Sequence, residues 1–373
     1  VIEELERGKW PSYIREWKRA GYTGMVEIYR RALEDGRTHF VHGGMIGYPG
    51  YDSGIVGRLT DLPEVLESSH LFRIYEPAGW FYRASELRRL AEIWKKHASG
   101  VINFHGAQGD MQLVGIPREN IQKAFEELAE IHFDIGSSGA TVRTLSCCSG
   151  PAICELACAD TLDMFQTIAM HFIEDTHRPR FPYKFKIKIS GCPNDCVAAT
   201  ARADFAIVGN FRDGIRVDQE ALGEYPAERV EEVVRSCPTG CMEYDGELRI
   251  RMQDCTRCMH CINRLPKALS PGEDRGATLL IGARSRGRYG AFLAWVLVPF
   301  IKAEPPYREI IDIIEAVLEW WDEKGNPKER VGETIYRVGY PKFLADIGEK
   351  TGIKPSPEMI QKPRANPFWS YRR

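Results

Sequence analysis

Cys148-Ser149-Gly150-Pro151-Ala152-Ile153-Cys154 is answered further along the chain by Cys192-Pro193-Asn194-Asp195-Cys196. Each pair of thiols is interrupted by turn-forming glycine, proline, asparagine or aspartate, so both pairs sit on tight loops. Soft sulfur donors grouped on loops suit iron–sulfur chemistry. A third group, Cys255-x2-Cys258-x2-Cys261, places three thiols on one loop, where they can hold three corners of a cuboidal cluster. The fourth corner needs a remote thiol. Where a two-cluster ferredoxin has its next cysteine before proline, this chain has Leu265 before Pro266. Cys237-Pro238 supplies the Cys-Pro signature upstream instead, so the expected ligands of one [4Fe-4S] cluster are Cys237, Cys255, Cys258 and Cys261. Zinc modules favour paired ligands over a triplet. Cys241 is left as a small buried side chain.

Outward from these loops, Pro182 to Ile189 alternates Lys184, Lys186 and Lys188 with Phe185, Ile187 and Ile189, the period of a strand with one cationic and one apolar face. It runs directly into Cys192. Leu162 to Glu174 has helical spacing, and an insert at about Pro226 to Pro271 carries the remaining thiols. Upstream, Leu71 to Tyr75 reads as a strand, Ser85 to Lys96 as a helix behind a Ser85 cap, Gly100 to Phe104 as a strand and Glu119 to His132 as a helix. Downstream, strands are expected at Ala277 to Ile281 and Phe292 to Pro299, then an amphipathic helix from Tyr307 to Glu323 closed by Gly325.

The 373 residues exceed one ordinary core. A net charge of -2 argues against a nucleic-acid partner. The most apolar run, Ala291 to Ile301, is shorter than the roughly 18 residues that span a bilayer and contains Pro299. No membrane insertion is therefore expected. Eleven cysteines, an odd number at tight spacings, suit metal coordination better than disulfides, and with no obvious leader the expected location is cytoplasmic.

The C-x5-C and C-x3-C loops match those of the sirohaem and [4Fe-4S] sulfite and nitrite reductase family, which this chain resembles closely. Carried over, Cys148, Cys154, Cys192 and Cys196 hold a [4Fe-4S] cluster, and the Cys196 thiolate bridges to the sirohaem iron. Cys147 and Cys158 stand beside this set and read as packing residues. Sirohaem is a polycarboxylate and the substrate an oxyanion, so fixed cations are required around the pocket. The expected catalytic cations are Lys184, Lys186 and Lys188 on the strand that enters Cys192, completed through the resemblance by Arg73 and Arg143; Arg143 and the three lysines also bind the cofactor, Arg202 is a weaker candidate, and His105 is either a proton donor or a structural hydrogen-bonding residue. The family's assimilatory members carry an arginine in the segment that here runs Asn103 to Asp110, and this segment has none. Arg73 is the expected substitute.

The insert, together with Trp10-Pro11-Ser12, His42-Gly43-Gly44, Pro77 to Tyr82, His177-Arg178-Pro179, Cys258 to Asn263 and Pro266 to Leu269, resembles the dissimilatory alpha subunits of that family. The resemblance implies an α+β fold of sulfite-reductase-type half-repeats with an inserted ferredoxin-like [4Fe-4S] domain. Its expected parts are an N-terminal arm (1–69), a first half-domain (70–139), a sirohaem and [4Fe-4S] domain (140–225 and 272–350), the insert (226–271) and a tail (351–373). It also implies six-electron reduction of sulfite in an α2β2 assembly with a homologous beta subunit, and a small sulfur-carrier protein with C-terminal cysteines. The rival readings are a sirohaem nitrite reductase, a reverse-acting sulfur oxidation enzyme and a non-catalytic electron-transfer subunit.

Overall fold

Alternation and helical spacing build a first unit whose strands are all antiparallel. The computed structural model describes residues 53–57, 70–105, 110–285, 287 and 289–355, so nearly all of the expected N-terminal arm and most of the tail lie outside the described residues. The chain divides into two units, the first made of residues up to Ser146 with Phe165–Ile187 and Val317–Thr334, the second of Cys147–Met164, Lys188–Ala316 and the residues from Ile335 on.

In the first unit, β1 (Ile55–Gly57), β2 (His70–Ile74), β3 (Val101–His105) and β4 (Asp110–Ile116) form a sheet of order β1-β2-β4-β3. Between β2 and β3 runs α1 (Ala84–His97), and after β4 comes α2 (Ile121–Glu130). On α1, Leu90, Ile93, Trp94 and His97 are buried at the i, i+3, i+4, i+7 spacing of one face. Trp94 packs at 5.4 Å from Phe72 and its indole N–H donates to Val114 O, so its polar atom is satisfied inside the core. The expected Ser85 cap is displaced: Arg83 occupies the cap position, and its backbone N–H donates to the Glu86 carboxylate. The sequence reading also missed β4. Its start at Asp110 returns the chain against β3, and this hairpin makes the sheet antiparallel throughout.

Continuing along the chain, β5 (Ser146–Cys147), α3 (Thr161–His171), α4 (Ile173–His177), β6 (Ile187–Ser190), α5 (Ala199–Arg202) and β7 (Phe205–Phe211) lead to the insert. Just before the insert come β8 (Arg216–Val217) and α6 (Gln219–Leu222), and the insert contains α7 (Ala227–Arg235), β9 (Met242–Tyr244), β10 (Leu248–Ile250), α8 (His260–Arg264) and β11 (Leu269–Ser270). Then follow β12 (Arg275–Ile281), β13 (Trp295–Ile301), α9 (Arg308–Lys324), α10 (Val331–Val338) and α11 (Tyr340–Thr351). A five-stranded sheet of order β13-β12-β7-β6-β5 carries the second unit, and β7 is buried at every position. A Cβ at Gly209 in β7 would lie 2.2 Å from Gly191 O, so only glycine lets the strand pass this close to the loop before Cys192. The antiparallel pair β8–β11 closes the base of the insert, and β9–β10 is its hairpin. Among the described residues no helix is long and apolar enough to cross a membrane.

Candidate functional site: two thiol centres and a buried cation group

The first thiol centre is built where β5 and β6 end. Cys148 follows β5, its N–H donating to Ile189 O at 3.1 Å, and its carbonyl accepts from the Thr161 hydroxyl at 2.9 Å. Gly191 N–H points at Cys148 Sγ at 3.1 Å. A Cβ on Gly191 would crowd that sulfur at 3.3 Å and Ala157 Cβ at 3.4 Å. Gly150 has φ +52°, and a Cβ there would meet Thr161 Oγ1 at 2.0 Å, which explains the glycine inside the C-x5-C loop. In the C-x3-C loop Asp195 adopts φ +49°, a left-handed conformation that aspartate tolerates better than most residues. Its carboxylate accepts from Ala199 N at 2.7 Å, Thr200 N at 2.9 Å and the Thr200 hydroxyl at 2.6 Å, tying the loop to α5.

Charge coupling shows that the four thiols share one neighbourhood. Burial pushes the Cys192 thiol up to about 11, and the neighbouring Cys154, Cys196 and Cys148 add to the rise. Burial, Cys148, Cys154 and Asp195 raise Cys196 likewise, although Cys196 is the exposed member. The Cys192 and Cys196 thiols, whose ionisation is opposed by burial and by the neighbouring thiols, are made stable as thiolates by a cationic metal centre, the donor chemistry an iron–sulfur cluster requires. Cys158 is buried, its Sγ donating to Leu156 O at 3.6 Å, and burial lifts it to about 12. Cys147 is 1% exposed.

The second centre lies in the insert. Cys237, Cys241, Cys255, Cys258 and Cys261 all line one small space of about 10 Å³, partly open to solvent, together with Ile215, Met242, Ile250 and Met259. The triplet loop is wound tightly, with Arg257 at φ +55° and Met259 at φ +62°. Such backbone strain gathers at functional sites. The Arg257 guanidinium holds the turn by donating to Arg212 O at 2.7 Å and to Asp213 O at 3.3 Å. Cys241, read from the sequence as packing, is buried but also faces this space, 3.5 Å from Cys237. A hydrogen bond from Cys241 holds the Cys255 thiol below its ordinary value against its burial. The repeat of the x3 spacing between Cys237 and Cys241 was the available signal. Among the described residues no three His, Cys, Asp or Glu converge as ligands of one ion. The thiols that face this space supply the soft donor set a cluster needs.

Cations collect in the first unit. Arg73 on β2 is buried and paired through Nε with Asp110, whose other oxygen takes His105 Nδ1 at 3.0 Å. Burial alone would raise the Asp110 carboxyl, but the His105 hydrogen bond and the Arg73 charge outweigh it and hold it below the usual range. Arg143 is 4% exposed. Its Nε donates to Gly139 O at 3.3 Å, and among the described residues Nη1 has no hydrogen-bond partner. Burial, then the charges of Arg73 and Arg330 against that of Asp110, pull Arg143 down to about 9. An under-compensated buried guanidinium of this kind fits a polyanionic ligand. Arg143 N donates to Phe185 O and Phe185 N to Thr141 O, so the segment bearing Lys184 and Lys186, which the sequence reading placed in the strand but which precedes β6, runs parallel to residues 141–143. Phe185, on the alternate face, packs against Trp321 at 5.7 Å. Lys184 and Lys186 are half-buried and Lys188, on β6, is 2% exposed. Arg202 is exposed at the end of α5. Sequence reasoning missed Asp110 as a partner and Arg330 as a cation. Asp110 stood in the quoted segment 103–110, whereas Arg330 is distant in sequence and carried no signal.

Comparison with known proteins supplies the frame for these centres. A family profile described as nitrite and sulphite reductase 4Fe-4S domain matches residues 138–355, and one described as nitrite/sulfite reductase ferredoxin-like half domain matches residues 67–131. The alpha subunit of the dissimilatory-type sulfite reductase of Nitratidesulfovibrio vulgaris is 37% identical over 408 residues, covering 98% of this chain and 92% of that protein. The beta subunit from the same organism is 24% identical over 341 residues, covering 83% of this chain and 87% of that one. A crystal structure of a dissimilatory sulfite reductase I superposes with a TM-score of 0.80 at 38% identity, covering 100% of this chain and 94% of that one.

Proposed function

From the premise that the chain belongs to the dissimilatory-type sulfite reductase alpha subunits, we propose that its two thiol centres form one electron path to a sirohaem at which sulfite is reduced. The enzyme is an oxidoreductase acting on sulfur compounds, and family membership implies iron–sulfur clusters and sirohaem. The finer reading assigns one [4Fe-4S] cluster to Cys148, Cys154, Cys192 and Cys196 and a second to Cys237, Cys255, Cys258 and Cys261. Cys196, the exposed member of the first set, would be the thiolate that also holds the sirohaem. When bound, sirohaem supplies the site at which sulfur is bound and takes up electrons.

The protein's own residues bind, orient and supply charge. Arg143 carries the reading: a buried guanidinium whose Nη1 lacks a partner among the described residues is stabilised by an anionic group brought against it. Asp110 compensates Arg73 and keeps its guanidinium aligned, while His105, partly exposed, is placed to exchange protons with solvent. Lys184, Lys186 and Lys188 add positive charge that favours an oxyanion over neutral ligands. The family likeness to beta subunits supports a related partner chain, and we assign the enzyme to an α2β2 assembly in the cytoplasm that hands sulfur to a small carrier protein with C-terminal cysteines. Anaerobically purified protein should show tetrapyrrole absorption together with iron and acid-labile sulfide for two four-iron clusters per chain. Iron for one cluster, stoichiometric zinc or absent tetrapyrrole bands would overturn this reading.

A further inference from the structure

The two thiol-bearing loops of the second unit meet through one pair of side chains. Asn194 lies between Cys192 and Cys196, and Asn263 stands on α8, two residues after Cys261. Asn194 Nδ2 donates to Asn263 Oδ1 at 3.1 Å, and Asn263 Nδ2 donates back to Asn194 Oδ1 at 2.7 Å. Each amide is donor and acceptor to the other, a reciprocal pairing that sets both the separation and the relative plane of the two groups. The partners are 69 residues apart in sequence.

Both ends of this clasp are held firmly. Behind Asn263, the Ser236 hydroxyl meets His260 Nε2 at 2.9 Å, and Arg264 pairs with Glu232, so α8 is fixed to α7. Behind Asn194, the Asp195 carboxylate binds the first turn of α5. Beneath the clasp, Cys192 packs in one core with Met259, Cys261 and Ile262. The amides themselves are exposed, so their bonds replace equivalent bonds to water and add little to folding. A contact that contributes little to stability, yet joins the two cluster loops, has its consequence in their spacing.

We propose that the Asn194–Asn263 pair positions the insert for electron transfer, holding the Cys255–Cys261 loop at one separation from the Cys192–Cys196 loop. The inference rests on the reading that both thiol sets hold clusters. In the step it serves, iron held by the insert loses one electron and iron held by the Cys148, Cys154, Cys192 and Cys196 set gains it. No bond forms or breaks and no proton moves, and a low-potential one-electron donor replaces the electron. Because tunnelling falls off steeply with the gap, a small loss of register costs rate without costing fold.

The test uses the holoenzyme with its beta partner, as wild type and as Asn194→Ser, Asn263→Leu and the double variant, with a reduced ferredoxin as one-electron protein donor. Iron, acid-labile sulfide and tetrapyrrole absorption should match wild type in all of them. Freeze-quench electron paramagnetic resonance should show transfer from the insert cluster to the Cys148–Cys196 cluster slowed about tenfold in each single variant, as expected for misplaced reaction partners. The double variant should be no slower than the worse single variant, because both remove the same contact. Magnetic coupling between the two reduced clusters should weaken in parallel. Unchanged transfer rate and coupling with full cofactor content would overturn the positioning role. Wild-type iron sufficient for only one cluster would overturn the underlying two-cluster reading instead, and the two failures are told apart by that count.

Discussion

Arg143 and Asp110 show how charge is managed residue by residue. Arg143 is buried with one nitrogen unpartnered among the described residues, and Arg73 and Arg330 both disfavour its charge. Replacing a buried charge by an apolar side chain of similar length is often neutral or stabilising. Arg143→Met should therefore leave the unloaded chain at least as stable to urea while lowering sirohaem content, read as tetrapyrrole absorbance per chain. Equal tetrapyrrole content in the variant would remove Arg143 from the anion site. Asp110 behaves in the opposite sense. Its carboxyl is depressed in the folded state, so the stability it contributes is full above the unfolded value and is lost as pH falls through the lower folded value. Asp110→Asn breaks a buried pair and should cost about 3 kcal/mol near neutrality. The variant's urea midpoint should also fall less steeply than wild type on acidification below about pH 4. Parallel acid profiles would show that Asp110 is not the titrating group.

Among the elements, the C-x3-C loop depends on α5 for its shape. Asp195 combines a left-handed backbone with a capping carboxylate, two demands that alanine cannot meet together. Asp195→Ala should lose about 1 kcal/mol from the cap, with an additional backbone penalty, and should bind its cluster less completely. Asp195→Asn keeps an acceptor and tolerates the same φ, so it should stay near wild type. Chemical denaturation with iron analysis separates the two, and equal behaviour of the alanine and asparagine variants would show that the cap is dispensable.

Across the whole molecule, the two proposed ligand sets belong to different pieces of architecture. The insert has its own closing strand pair, its own hairpin and its own thiol-lined space. Cys258→Ser should therefore remove one cluster and leave tetrapyrrole absorption largely intact. Turnover with a physiological donor should fall far more than turnover with a small artificial reductant. Loss of both activities together with the tetrapyrrole would contradict a modular path.

What the amino-acid order determined by itself is local chemistry. Thiol spacing, the Cys-Pro signature and the lysine alternation are set by neighbours a few residues apart, so Cys148, Cys154, Cys192 and Cys196 and the triplet were readable as ligand groups. Element type was readable for long periodic segments such as α1 and α9, because one apolar face recurs within each. Boundaries and caps were less legible: Arg83 took the place expected of Ser85, and β4 was lost against a glycine-rich stretch. Tertiary structure alone decided the relations between distant residues. It brought Asp110 to Arg73, Arg330 to Arg143, Cys241 to the insert's space and Asn194 to Asn263. No periodicity encodes such pairings, because each arises from the register of strands and the packing of separate elements, and only the folded chain brings them within hydrogen-bonding or Coulombic range.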